Sequence, residues 1–366
     1  DTISRTDYVK NLADYRAVLS EAAEKGDGDS VFYRTEELER KTKNDAALSG
    51  YHSGTQFSSL MNLNVSHFYQ DVGMEGGKNF YCAGGATPLL SAMLSIRYVL
   101  ADNVMEEGPL RTLVAQSGDT YLYENAYVLP LGFMMDEDVA EKWDYAGGGD
   151  IGTQNQLANL LGSDGLLLTV VESESQAGES SFVAQDSAYY YATYSKTDVD
   201  NLQEQVSSGR TRGFTKVSHG YILDLGYCEA GEEVKVTNTA NELVQLVVYR
   251  LDLSALRTAY EALAAQAVEV TEVSDTRVKG TVDVIQAGRL IFSIADEDGW
   301  TLYVDGKKTD SETFGGAFIS TYLPEGTHEF ELRYKSPGFL TGAGISAAAV
   351  ALFAATMAVR RKRKKG

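Results

Sequence analysis

The chain has 366 residues, 43% hydrophobic and 23% charged, with Lys+Arg 32 against Asp+Glu 52 and a net charge of −20. That length holds about two domains, and the balance excludes a wholly disordered chain. The last seven residues carry six of the cations, which leaves −26 on residues 1–359. So acidic a body repels a phosphate backbone and argues against nucleic acid as a partner. Because it begins at Asp1 rather than Met, the chain is expected to be a segment or processed product of something longer.

Residues 8–23 predict a helix, with Tyr8, Leu12, Tyr15, Leu19 and Ala22 at helical spacing, ended by the Gly-Asp-Gly-Asp run at 26–29. A short strand is expected at 31–35, helices at 58–69 and 89–94, and a strand at 96–100. Residues 120–125 and 127–135 read as extended, and 153–161 as a short helix. Together these predict a mixed α/β domain over residues 1–162.

The pattern changes at residue 166. Short strands recur at 166–171, 189–194, 219–225, 232–237, 243–251, 278–285, 290–294, 301–304, 317–322 and 328–334, with turn signals between them. In the last, Phe330, Leu332 and Tyr334 share one face, while Glu329, Glu331 and Arg333 share the other. One helix interrupts at 253–267. The expected fold class is therefore α+β, with the mixed α/β domain followed by an antiparallel β-sandwich, jelly-roll-like, over 163–336. Residues 221–236 and 317–332 echo one another, each reading strand, glycine turn, strand. The simpler cause is that hairpins look alike; a duplicated half-sandwich is the alternative.

Residues 339–359 contain no charged side chain, and the six-cation tail at 360–366 follows at once. About 20 helical residues cross a bilayer core, and cations collect on the cytoplasmic side. The reading is a single transmembrane helix over 337–359, a basic cytoplasmic tail at 360–366, and residues 1–336 extracytoplasmic. The span is rich in Ala and Gly, and Gly338 and Gly342 have the small-xxx-small spacing, so packing against other membrane helices is expected.

Few motifs carry chemistry. Gly147-Gly-Gly149-Asp-Ile-Gly152 satisfies G-x-G-x-x-G, but no strand precedes it, so an inter-domain loop is the better reading. His52, His67, His219 and His328 form no ligand spacing, Asp296-Glu-Asp298 lacks the calcium-loop spacing, and no metal, cofactor or catalytic residue is assigned. Cys82 and Cys228 allow a disulfide but fall in different expected domains. Leu323-Pro-Glu-Gly-Thr327 approaches a wall-sorting signal with its last two letters exchanged; a turn before the next strand explains it better. For ligand contact, sugars call for aromatic faces beside polar groups, which singles out Tyr190 and Tyr191 in the Tyr189-Tyr-Tyr191 run, and Trp300. Alternation puts Tyr190 opposite Tyr189 and Tyr191, so one side faces outward or toward a neighbouring domain. Trp300 equally suits the closing of a sandwich core.

Several phrases in order resemble the bacterial membrane protein YfhO family. They are Phe32-Tyr-Arg-Thr35; Asn44-Asp45 with Tyr51 and Phe57-Ser-Ser59; Ile96-Arg-Tyr-Val-Leu100; Tyr121-Leu-Tyr-Glu-Asn125 leading to Leu129-Pro-Leu-Gly-Phe133; and Gln154-Asn-Gln-Leu157. Later come Gly299-Trp300, Val304-Asp-Gly-Lys307, Ala317-Phe-Ile319, Glu325-Gly-Thr-His328 and Tyr334-Lys-Ser-Pro-Gly338. The resemblance implies the C-terminal extracytoplasmic region and last helix of a multi-pass GT-C-type glycosyltransferase that decorates lipoteichoic acid or a related surface polymer. Its implied partners are the bilayer, upstream transmembrane helices of the parent, and a lipid-linked sugar or teichoic-acid-type polymer. The family's catalytic carboxylate belongs to an early loop that this chain does not contain, so this part is expected to be accessory or acceptor-binding. The alternative is a non-catalytic, membrane-anchored protein that binds envelope carbohydrate.

Overall fold

The computed structural model describes residues 3–25, 32–105, 107–195 and 197–363. The glycine turn expected at 26–29, the first residue of the strand expected at 31–35 and the end of the basic tail lie outside the described residues. The chain is mixed α/β and rich in antiparallel sheet, with one apolar C-terminal helix and no closed barrel among the described residues.

The N-terminal part is built on a four-stranded sheet in the order Arg34–Glu37, Ile96–Ala101, Thr120–Asn125, Arg111–Ser117, with only the first pair parallel. The helix Leu12–Lys25 lays Val18 and Ala22 on the Leu100, Ala115 and Leu122 face of this sheet. The helix expected from residue 58 starts later, at Leu63, because Asn62 caps it: the Asn62 side chain accepts from the Asn64 N–H. Residues 58–62 form a turn instead, after the two-residue strand Gln56–Phe57.

Beyond residue 166 the strands enclose two cores rather than one. The first lies between the sheet Leu223–Cys228, Ala188–Tyr194, Leu246–Leu251, Leu168–Val171 and the sheet Glu174–Gln176, Glu179–Val183, Glu233–Thr237, Asn201–Val206, Thr211–Thr215. The second lies between the sheet Glu269–Ser274, Arg277–Val284, Gly326–Tyr334, Trp300–Val304, Lys307–Thr309 and the sheet Glu312–Phe314, Phe318–Leu323, Gly288–Ala295, Gly132–Asp136. The two five-stranded sheets follow the same chain order. In each, a short outer strand pairs with the next strand, which pairs with a strand from the end of the unit, which pairs with a central hairpin. The echo between 221–236 and 317–332 has a structural counterpart here. Both segments cross from a four-stranded to a five-stranded sheet at matching places, so neither is a hairpin, and the Leu323-Pro-Glu turn is a corner between sheets.

One strand of the second unit comes from far away in sequence. Gly132–Asp136 pairs antiparallel with Gly288–Ala295, with Gly288 opposite Asp136 and Phe292 opposite Gly132. Gly288 permits this approach, since a Cβ there would sit 2.5 Å from the Met135 carbonyl oxygen. Between the units runs the helix Leu253–Ala264, capped by Asp252, whose Oδ1 accepts from the Ser254 and Ala255 N–H groups. Its Leu256, Ala259 and Leu263 enter a large shared core with Phe68, Leu89, Leu168, Tyr191 and Phe318, which joins the N-terminal part to both two-sheet units.

The C-terminal helix Phe339–Arg363 stands clear of the body. Its apolar stretch has the length and composition to cross a membrane and is exposed throughout.

Candidate functional site

The tyrosine run lies in the strand Ala188–Tyr194, and both faces of that strand are covered. Tyr190 points into the first two-sheet core with 0% exposure and donates its hydroxyl to the Asp186 carbonyl at 2.8 Å. Tyr189 and Tyr191 point the other way, into the shared core, where they are 3% and 1% exposed. The alternation read from the sequence holds, and the side away from the sandwich meets a neighbouring part of the chain. Trp300 packs on a different core, its ring 5.1 Å from Tyr334 and partly exposed. The three aromatics therefore share no site. Cys82 and Cys228 are buried and unpaired. Among the described residues, no group of three His, Cys, Asp or Glu is placed to hold a metal.

What the fold does create is a groove of about 480 Å³ where the N-terminal sheet, the interrupting helix and the second unit meet. Register builds its polar wall. Tyr98 pairs opposite Glu124, which sets Arg97 beside that carboxylate, with Nε donating to Glu124 Oε1 at 2.7 Å. The Arg97 guanidinium also lies over the Tyr98 and Tyr33 rings, at 5.4 and 6.0 Å. Partial burial opposes the charge on Arg97, but the Glu124 hydrogen bond and neighbouring charges outweigh it, so its pKa is raised. Asn125 is locked between the Ile96 carbonyl, to which its Nδ2 donates at 2.9 Å, and Arg111, whose Nε donates to its Oδ1 at 3.3 Å.

The opposite wall is mainly apolar and aromatic, with Glu269 its one charged residue. Tyr260 projects from the helix, donates to the Val128 carbonyl at 3.1 Å and meets Tyr127 edge-on at 5.1 Å. Burial pushes its phenol up, so it stays a hydrogen-bonding hydroxyl at neutral pH. Val268, Glu269 and Val270 complete this side, and Phe32 closes one end. Phe32 is held by His52, 5.0 Å away between ring centroids, and by the Arg34 guanidinium at 5.1 Å. Beyond Phe32 lies a second hollow of about 530 Å³, lined in part by Tyr33, Tyr51, His52 and Arg16. Burial and the charge of Arg34 depress the His52 pKa, which favours the neutral ring there.

The carboxylates most disturbed by burial are committed elsewhere. Glu36 accepts from Ser53 Oγ at 2.7 Å, Thr55 Oγ1 at 2.8 Å and the Gly54 N–H. Glu75 is ringed by Lys43 at 2.6 Å, His219 Nδ1 at 2.7 Å and Arg40 at 3.5 Å. Burial opposes the Glu75 charge, but the charges of Lys43 and Arg40 and the hydrogen bonds from Lys43 and His219 prevail and lower its pKa. The groove thus offers aromatic faces, fixed donors and fixed acceptors, which suits recognition. Its residues were not singled out as a site from the sequence, although Phe32, Arg97, Glu124 and Asn125 all fall inside the phrases that carry the family resemblance. Tyr260 falls inside the helix expected at 253–267 and carries no site signal of its own in the sequence.

No curated protein matches the chain. Among solved structures, a cupin 2 conserved barrel domain protein from Leptotrichia buccalis aligns at 12% identity and TM-score 0.13, covering 45% of this chain and 89% of that one. An oxalate decarboxylase from Lactobacillus farciminis aligns at 7% identity and TM-score 0.13, covering 46% and 79%. The coconut allergen cocosin aligns at 8% identity and TM-score 0.15, covering 46% and 81%. At such scores these likenesses carry no argument. The description "Bacterial membrane protein YfhO", by contrast, matches residues 2–162 and 167–346, nearly the whole chain, in line with the ordered phrases that line the groove and the exposed apolar helix at the C-terminus: the chain belongs to the YfhO family of bacterial membrane proteins.

Proposed function

We propose that this chain is the acceptor-recognising outer part of a membrane-embedded, GT-C-type glycosyltransferase acting on a cell-surface polymer, with the groove between Arg97–Glu124 and Tyr260 as its carbohydrate site. The observation that carries this reading is the pairing of aromatic walls with a fixed Arg97, Glu124, Asn125 set in one open groove. Sugars present apolar C–H faces ringed by hydroxyls, and this lining complements both. The net charge of −20 favours a neutral oligosaccharide over an anionic glycerol-phosphate polymer as the bound portion. The basic tail after residue 359 supports an outward body and an inward C-terminus.

We also read each two-sheet unit as a jelly roll. In the first, the four-stranded order and the order of the last four strands of its five-stranded partner are those of a double Greek key. In the second, Gly132–Asp136 takes the place that a final strand would fill.

Titration of a neutral oligosaccharide and of glycerol-phosphate polymer against the chain in nanodiscs tests the binding role. Saturable binding of the neutral ligand, weakened by Tyr260→Ala and Asn125→Ala and unchanged in Tyr190→Phe, is the expected result. Equal binding by wild type and both groove variants, or no saturable binding, refutes the site.

A further inference from the structure

The 57–63 turn, counted with the strand-end residue Phe57 and the first helical residue Leu63 that flank it, exposes three large apolar side chains: Leu60 is 94% exposed, Phe57 46% and Leu63 44%. Scattered exposed apolar residues are ordinary, but three on one short turn make a patch that asks for a partner. The stretch is also free of charge. No Asp, Glu, Lys or Arg occurs from residue 46 to residue 70, in a chain that is 23% charged.

The position of the turn identifies the partner. Asn62 Nδ2 donates to the Asp296 carbonyl at 2.9 Å, which ties the turn to the loop 296–299 of the second unit. The far end of that loop is tied to the root of the membrane helix: the Lys335 N–H donates to the Gly299 carbonyl at 2.9 Å. Two residues after Lys335 comes Pro337, and the helix begins at Phe339. Three extended residues span at most about 10 Å, so the apolar turn and the helix root sit at one end of the molecule. Trp300 and Tyr334, opposite each other in register, stand at that same end. Paired Trp and Tyr beside a span are what a membrane–water interface collects.

The turn is also built for that environment. Phe57 N–H donates to Asn44 Oδ1 at 3.0 Å, Leu60 N–H to Ser58 Oγ at 3.1 Å, Met61 N–H to the Ser58 carbonyl at 3.3 Å and Asn64 N–H to Asn62 Oδ1 at 3.0 Å. Entry into a water-poor layer requires such internal satisfaction.

We propose that the 57–63 turn enters the headgroup layer of the bilayer beside the helix root. It gives the body a second, peripheral foothold on the lipid, with Trp300 at the same depth. This reading is independent of the carbohydrate site.

The test uses the full chain reconstituted in phosphatidylcholine–phosphatidylglycerol nanodiscs. Leu60→Cys and Ile285→Cys each receive an environment-sensitive fluorophore; the native thiols are buried and spared. Ile285 is 69% exposed and follows Val284, whose strand ends at the face away from Tyr334. The strand of eight residues puts it about 25 Å from the helix root. The Leu60 label is expected to lose fluorescence when headgroup-spin-labelled lipid is included and to resist aqueous iodide; the Ile285 label is expected to do the reverse. Trp300 emission should fall with the same lipid, while Trp143, at 3% exposure, contributes an unquenched background. A Leu60 label quenched by iodide as freely as the Ile285 label overturns the proposal. A label shielded from both quenchers overturns it too, because the turn would then face protein.

Discussion

Replacing Glu37 with Gln makes the stability of this protein respond to pH in a way that can be worked out beforehand. Glu37 ends the first strand and is 2% exposed. Its carboxylate accepts from the Tyr15 hydroxyl at 2.9 Å and the Tyr51 hydroxyl at 3.4 Å, while Arg40 donates to its backbone carbonyl at 3.2 Å and the charge of Lys41 only partly offsets burial. Burial outweighs the help from Tyr15 and pushes its pKa up to about 7 from 4.5, with Asp45 and Asp102 adding to the rise. The folded state therefore holds a proton that the unfolded state gives up earlier. Its contribution to stability is fully present below pH 4.5 and is lost as pH rises through about 7. A shift of that size corresponds to about 3 kcal/mol. Gln keeps the shape and one acceptor but cannot ionise. Urea denaturation of wild type and Glu37→Gln at pH 5 and pH 8 is the assay. The variant should match the wild type at pH 5, or trail it by ~1 kcal/mol for the imperfect hydrogen bond, and exceed it by ~2 kcal/mol at pH 8. Taking the difference between the two proteins removes the general repulsion among the other carboxylates. A difference that does not change with pH refutes the assignment of the proton to Glu37.

Arg34 donates to the Leu94 carbonyl and the Ser293 carbonyl, both at 2.6 Å, and to Ser293 Oγ at 3.0 Å, linking the first sheet to the second unit. Arg34→Met should cost ~3 kcal/mol in urea denaturation through buried acceptors left unpaired, and a variant of wild-type stability contradicts the link. Gly288→Ala pushes a methyl against the Met135 carbonyl and should loosen the Gly132–Asp136 strand, seen as faster proteolysis near residue 132; unchanged cleavage contradicts the close approach. Burial pushes the Cys228 thiol up to about 11, and Cys82 is fully buried as well. An aromatic disulfide reagent at pH 8 should therefore find no thiol in the native protein and both after unfolding; none after unfolding would mean a disulfide.

Segments with clean periodicity were legible from the sequence. Strand Ile96–Ala101, helix Pro88–Met93 and the alternating Gly326–Tyr334 were placed within a few residues. The strands that escaped notice hide their inward faces behind polar residues. In Asn201–Val206 the inward positions are Leu202, Glu204 and Val206, and the buried Glu204 is held by Arg210 at 3.0 Å. In Glu179–Val183 they are Ser180 and Phe182. No local pattern announces a carboxylate that pairs inside a sheet. The tyrosine run reads as two-sided, but what covers each side depends on contacts that the local pattern does not show, such as Leu110 and Tyr227 against Tyr189 and Phe182 against Tyr190. The groove was illegible for the same reason: sheet register brings Arg97 to Glu124, and Tyr260 faces them only when the interrupting helix docks.

The borrowed strand also imposes a schedule on synthesis. Gly132–Asp136 leaves the ribosome about 150 residues before its partner Gly288–Ala295 exists. At ~5–20 residues per second, that is a wait of roughly 10–30 s. During it, Met134 has no second-unit core to enter, and the strand presents open backbone groups to any other edge. Native pairing becomes available only shortly before the apolar helix itself emerges. Completion of the body and handover of the helix to the lipid are thus compressed into the last moments of translation. A delay in either leaves a sticky intermediate for chaperones and proteases at the membrane surface to find.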